Sequence, residues 1–141
     1  MNNFHYCLHC GTSITKGVND FSTDVYGIPL CLTHQIKLQE SHASREAKDI
    51  FLALKYNKIP AELEYNDGKK TIDVAIPGKL YIEMDVKCEY EAEQAMIELV
   101  NAFSTPNKEK IPTVKIPHSL VNNEIMFKRA VDCLTEMCSG L

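Results

Sequence analysis

Arginine is scarce in this chain: only Arg45 and Arg129 occur in 141 residues. Bidentate guanidinium–phosphate contacts must therefore be few, and a net charge of −4 gives no general electrostatic grip on a polyanion. No apolar run approaches the roughly 20 residues of a membrane-spanning helix, so no membrane association is expected. There is no internal repeat and no low-complexity tract. The opening residues, MNNFHYCLHC, lack a charged stretch followed by an apolar segment, so no secretory signal is read. Hydrophobic residues make up 45% of the chain, an ordinary share for a globular domain.

Six cysteines in a short chain could indicate disulfides. Their spacing points elsewhere. Cys7-Leu8-His9-Cys10-Gly11 is a Cys-x2-Cys knuckle, with a glycine where a tight turn needs positive φ. A second pair, Cys31-Leu32-Thr33-His34, follows after a long spacer. Four soft or borderline ligands suit a closed tetrahedral Zn²⁺ site, and closed sites are structural. With no export signal, this favours a reducing compartment, and a cytoplasmic location is expected. Phe21, Val25, Tyr26, Ile28 and Leu30 are expected to form a hairpin between the pairs, and a short helix to start at the second pair. His5 and His9 are read as bystanders. Residues 1–42 thus form a small zinc module that resembles a treble-clef or zinc-ribbon finger. It carries no basic stripe, which points to scaffolding.

Residues 43–141 read as one α+β domain with a mixed sheet. Ala47, Ile50, Phe51 and Leu54 fall at helical spacing behind Ser41 or Ser44 as a cap, and that helix should end before Ile59-Pro60. A strand over 61–65 leads through Asn66-Asp67-Gly68 into a second strand. Residues 70–87, KTIDVAIPGKLYIEMDVK, read as two strands joined at Pro77-Gly78. A helix over 90–103, a loop over 105–109 and a strand over 113–116 follow. A last helix, capped by Asn122 or Asn123, turns Ala130, Val131, Leu134 and Met137 inward.

The hairpin carries the chemistry. Asp73 sits in a strand of apolar residues, while Glu83 and Asp85 are two residues apart and share a strand face. Strand interiors disfavour Asp, and three clustered carboxylates repel one another unless a cation sits between them. Mg²⁺ takes such oxygen ligands. An edge hairpin with one solvated acidic face gives the same pattern.

An Asp, a short turn and a strand carrying Glu-x-Asp resemble the PD-(D/E)xK nuclease superfamily, and more narrowly its small branch related to very-short-patch-repair nucleases. That branch carries Ile-Glu-x-Asp-Gly followed by Gln-His. Here Ile82-Glu83-Met84-Asp85 matches, but Val86 replaces the Gly and Cys88-Glu89 the Gln-His. The resemblance covers residues 43–141. It implies a restriction-endonuclease-like αβββαβ core plus a C-terminal helix, in agreement with the element order. It also implies a Mg²⁺ or Mn²⁺ ion held by Asp73, Glu83 and Asp85, and hydrolysis of nucleic acid, with DNA expected. Asp85-Val86-Lys87 gives a second register in which Lys87 assists; Lys87 at a strand end also reads as a surface lysine with a buried stem.

Two functions of different class follow. One is a metal-dependent endonuclease using Asp73, Glu83, Asp85 and Lys87. The other is a catalytically degenerate nuclease fold that binds nucleic acid or a protein partner, favoured by the lost Gly and Gln-His, the scarce arginine and the acidic run Glu89, Glu91 and Glu93. Survival of all three carboxylates favours the enzyme. Glu46, Glu62, Glu64 and His118 are expected on the surface, and Cys88, Cys133 and Cys138 as small buried hydrophobes.

Overall fold

The computed structural model describes residues 5–85, 91–104 and 110–138. Lys87, Cys88 and the loop over 105–109 lie outside them. The described chain is mixed α+β, with six helices and a four-stranded mixed sheet.

The N-terminal part opens with a two-residue ladder, β1 (His5–Tyr6) against β2 (Ser13–Ile14), that frames the Cys7–Cys10 knuckle. The stretch expected as a hairpin is a helix instead, α1 (Lys16–Tyr26). Its local signals outweigh β propensity. Thr15 caps it by accepting the Val18 N–H, Lys16 pairs with Asp20 one turn on at 2.7 Å, and Gly27 closes it at φ 81°. Phe21 and Val25 consequently face solvent, and only Ile28 and Leu30 enter the core. Buried Ser22 fixes the exit of the helix: its hydroxyl donates to Ile28 O at 2.7 Å and accepts from Leu30 N at 2.8 Å. Helix α2 (Leu32–Glu40) starts at the second ligand pair, as expected.

Helix α3 (Arg45–Tyr56) begins at Ser44, whose hydroxyl accepts the Ala47 N–H, and it buries Ala47, Ile50, Phe51 and Leu54. Strands β3 (Glu62–Asn66), β4 (Thr71–Ile76) and β5 (Leu80–Met84) form an antiparallel meander. The β3–β4 turn is held by side chains: Asn66 Oδ1 accepts the Gly68 N–H, and Asp67 Oδ1 accepts those of Lys69 and Lys70. Helix α4 (Ala92–Ser104) crosses to β6 (Thr113–Ile116), which pairs parallel with β5. A short helix α5 (His118–Val121), not foreseen, precedes α6 (Glu124–Cys138), and Asn123 caps α6 through the Met126 N–H.

Alternation along the strands separates two faces. Ile72, Val74, Ile76, Leu80, Ile82, Val114 and Ile116 are buried, and all but Ile72 pack in one cluster with helix residues. That cluster also takes in Cys7, Ile28, Leu30 and Leu38, so apolar packing continues from the cysteine-bearing segment into the sheet layer. On the other face Asp73, Tyr81 and Glu83 are half-buried, while Thr113 and Lys115 are exposed. Cys133 and Cys138, expected inside, are only half-buried.

Glu64 breaks the alternation with φ 52°, a left-handed conformation unfavourable for a residue with a Cβ. Its carboxylate compensates by reaching back: it accepts from the Ser41 hydroxyl and, at 2.9 Å, from the His42 N–H. These bonds hold the Glu64 pKa below the usual carboxylate range, the Ser41 hydroxyl contributing most. The carboxylate thus ties the segment after α2 to the sheet edge.

Two outcomes follow. Leu54→Ala, at a fully buried position, should cost roughly 2–5 kcal/mol in denaturant unfolding. Glu64→Gln should lower the melting temperature at neutral pH. Because the folded pKa is depressed, that contribution is present above the unfolded value and is lost as pH falls through the folded one. The gap between wild type and mutant should therefore close in acid, which parallel melts will read.

Candidate metal centre and acidic strand pair

The four residues expected to bind zinc converge. Among the described residues, Cys7, Cys10, Cys31 and His34 are the one group of three or more His, Cys, Asp or Glu side chains close enough to hold a metal ion, their ligand atoms all within 4.8 Å of one another. Cys10 Sγ lies 3.9 Å from Cys31 Sγ, and His34 Nδ1 lies 3.1 Å from Cys31 Sγ and 3.7 Å from Cys7 Sγ. A tetrahedral zinc with Zn–S near 2.3 Å separates its ligand sulfurs by about 3.8 Å, so the spacing fits.

Local backbone builds the site. Gly11, at φ 77°, lets its N–H reach Cys7 O at 2.8 Å, and the Cys7 N–H donates to Thr12 O at 2.8 Å. Cys31 caps α2, so its sulfur sits at the positive end of the helix dipole, with His34 in the first turn.

The electrostatics of the ligands pull in different directions. The Thr12 hydroxyl and N–H bring the Cys10 thiol down to about 7. Burial raises the Cys31 thiol and lowers His34, which favours a neutral imidazole. Lys55 is buried within electrostatic reach of Cys7 and Glu62, and burial lowers its pKa. Three thiolates and a neutral imidazole around a Zn²⁺ would carry a formal charge of −1, which a Lys55 ammonium would offset. His9 is not a ligand but is no mere bystander: its ring packs edge-on against His34 and Phe51, and its Nε2 lies 3.5 Å from Glu62.

Asp73 and Glu83 lie on one sheet face. Ala75 pairs with Tyr81 in the β4–β5 register, and each acidic residue is two positions outward from one of that pair. Pairing stops at Val74–Ile82. Beyond it β4 stays with β3 to Thr71, and β5 stays with β6 to Met84, so the sheet opens between Asp73 and Glu83. Asp73 Oδ2 fills the gap by accepting the Met84 N–H at 2.9 Å. Asp85 follows the end of β5, its N–H donating to Ile116 O at 3.0 Å. The three carboxylates are not gathered into a metal-sized group. Asp73 and Glu83 share a sheet face, and Asp85 lies just past the end of β5.

Two lysines missed in the sequence stand here instead. Lys70 Nζ is 3.3 Å from Glu83 Oε1, and Lys115 is the direct β6 neighbour of Glu83. Lys70 precedes the strand, so no parity argument could find it. Lys115 follows only from the parallel β5–β6 register, which sequence does not give. Glu46 and His118 pair with each other at 3.6 Å.

The chain matches no protein-family model, no curated protein and no solved structure. The nuclease resemblance therefore rests on the strand residues themselves.

Protein purified without chelator should contain one zinc per chain by elemental analysis. Cys31→Ser should abolish that stoichiometry. Apparent zinc energies in small fingers are roughly 10–16 kcal/mol and act as folding energy. Because the apolar cluster is continuous, chelation should lower the melting temperature of the whole chain; an unchanged melt would show that the four residues hold no structural ion.

Proposed function

We propose that the chain hydrolyses the phosphodiester backbone of nucleic acid, with the strand opening between Asp73 and Glu83 as the reacting centre and the zinc site as a structural staple. The observation that carries this reading is the parting of β4 and β5 at two half-buried carboxylates on one face. The restriction-endonuclease-like reading of the core is supported by the order helix, three strands, helix, strand over residues 45–116. The finger reading is supported by a knuckle framed by a short ladder and followed by a ligand-bearing helix.

An all-oxygen donor pair fits a hard divalent ion such as Mg²⁺ or Mn²⁺ better than it fits zinc. Such an ion would supply polarisation of the phosphate and a water of lowered pKa. The chain's own groups do the rest. Asp73 is locked by the Met84 N–H, which fixes the direction of its second oxygen. Glu83 is held by Lys70, whose ammonium sits where phosphate charge must be met.

A second reading, a nucleic-acid-binding module without cleavage, is favoured by the three carboxylates not forming one metal-sized group among the described residues. Cleavage of DNA and RNA with Mg²⁺ or Mn²⁺ separates the two. Asp73→Asn and Glu83→Gln should each lower the rate by at least roughly ten- to a hundred-fold, the loss seen when even an outer partner of a metal site is removed. Asp85→Asn should cost less than either. Wild type that cleaves nothing with either metal would leave the binding module as the better account.

A further inference from the structure

The exposed side of the sheet carries more than the acidic pair. Tyr65 and Tyr81, both half-buried, have ring centroids 5.9 Å apart at 43°. Their meeting is not what strand alternation gives. Tyr65 pairs with Ile72, whose side chain is buried, whereas Tyr81 pairs with Ala75 on the Asp73–Glu83 face. The left-handed residue Glu64, immediately before Tyr65, interrupts the alternation and lets the tyrosine turn towards Tyr81.

Beside the tyrosines lies a groove of ≈ 650 Å³ lined by Asp67, Lys69, Lys70, Tyr81, Lys110 and Thr113, among others. Three of these are exposed lysines, a local excess of positive charge in a chain of net charge −4. The one acidic residue among them, Asp67, already spends its carboxylate on the Lys69 and Lys70 N–H groups. Lys70 links the groove to the reacting centre through Glu83, 3.3 Å away. A paired aromatic surface flanked by flexible point charges suits a ligand with flat rings on a regularly charged backbone. Duplex nucleic acid hides those rings, and the two arginines that could grip a duplex lie on helices, Arg45 in α3 and Arg129 in α6. Single strands expose them.

We propose that this face binds single-stranded nucleic acid, with bases stacked on Tyr65 and Tyr81 and phosphates held by Lys69, Lys70 and Lys110. The proposal rests on the hydrolytic reading only for which bond is cut; the binding stands without it. Bound this way, the strand passes from the lysine groove across Tyr81 to Glu83 and Asp73.

The test is fluorescence anisotropy with the zinc-loaded full chain in Mg²⁺-free buffer. The probes are labelled single strands of about 16 nucleotides, as DNA and as RNA, and the duplex of the same sequence. Single strands of at least one kind should bind at least about ten-fold more tightly than the duplex. Tyr65→Ala and Tyr81→Ala should each weaken binding about ten-fold, and Tyr81→Phe should restore it. Lys69→Gln should reduce the salt slope of binding by about 0.7, the value for one phosphate contact on a single strand. Duplex bound as tightly as single strands, or alanine variants that are folded by melting yet bind like wild type, would overturn the proposal. Binding of single strands by Asp73→Asn, with no cleavage by wild type, would sink the hydrolytic reading alone and leave this one standing.

Discussion

Backbone pairing between β4 and β5 ends at Val74 and Ile82, and the fate of the two strands beyond that pair shapes the rest of the molecule. If pairing continued, Met84 would have a ladder partner and the Asp73 carboxylate would have no backbone donor. Instead the Met84 N–H is satisfied by Asp73 Oδ2 at 2.9 Å. The exchange replaces a backbone bond with a charge-assisted one, stronger in kind but dependent on one side chain. It also lets β4 follow β3 and β5 follow β6, which opens the sheet beside Glu83.

Both halves of the opened sheet are held firmly. On one side, Glu64 anchors the sheet edge to Ser41 and His42, and the apolar cluster carries that anchor to Cys7, Ile28 and Leu38. The cysteine–histidine cluster therefore does more than fold a small appendage. It fixes the end of the chain that buttresses β3, and Lys55 and Glu62 couple its charge to the sheet. On the other side, β5 is held by the parallel β6, with α4, α5 and α6 packed around the same core.

Much of this was legible in the residues. Capping serines, helical spacing, Asn-Asp-Gly and Pro-Gly turns and paired ligands are local signals, and α3, the meander, α6 and the metal cluster follow from them. Helix α1 was misread because Phe21, Val25 and Tyr26 have β character, whereas the deciding signals are a threonine cap and a glycine at C′. The acidic pair is readable from parity; the same parity set Asp85 on the face of Glu83, but β5 ends at Met84, one residue short of it. Lys70 and Lys115 were invisible for a different reason: their place beside Glu83 depends on side-chain reach and on a parallel register set by α4. Glu64 offered no warning of its backbone angle, and so the meeting of Tyr65 with Tyr81 could not be anticipated.

The proposal stands or falls on whether the opening between β4 and β5 is a site for a hard divalent cation held by Asp73 and Glu83. Electron paramagnetic resonance of Mn²⁺ added to the zinc-loaded chain tests it most directly, since bound and free ions are distinguished without any need for turnover. The account predicts one Mn²⁺ bound per chain, competed by Mg²⁺ and lost in both Asp73→Asn and Glu83→Gln while the zinc remains. Mn²⁺ that stays free in the presence of wild type, or that binds equally well to both variants, would contradict it.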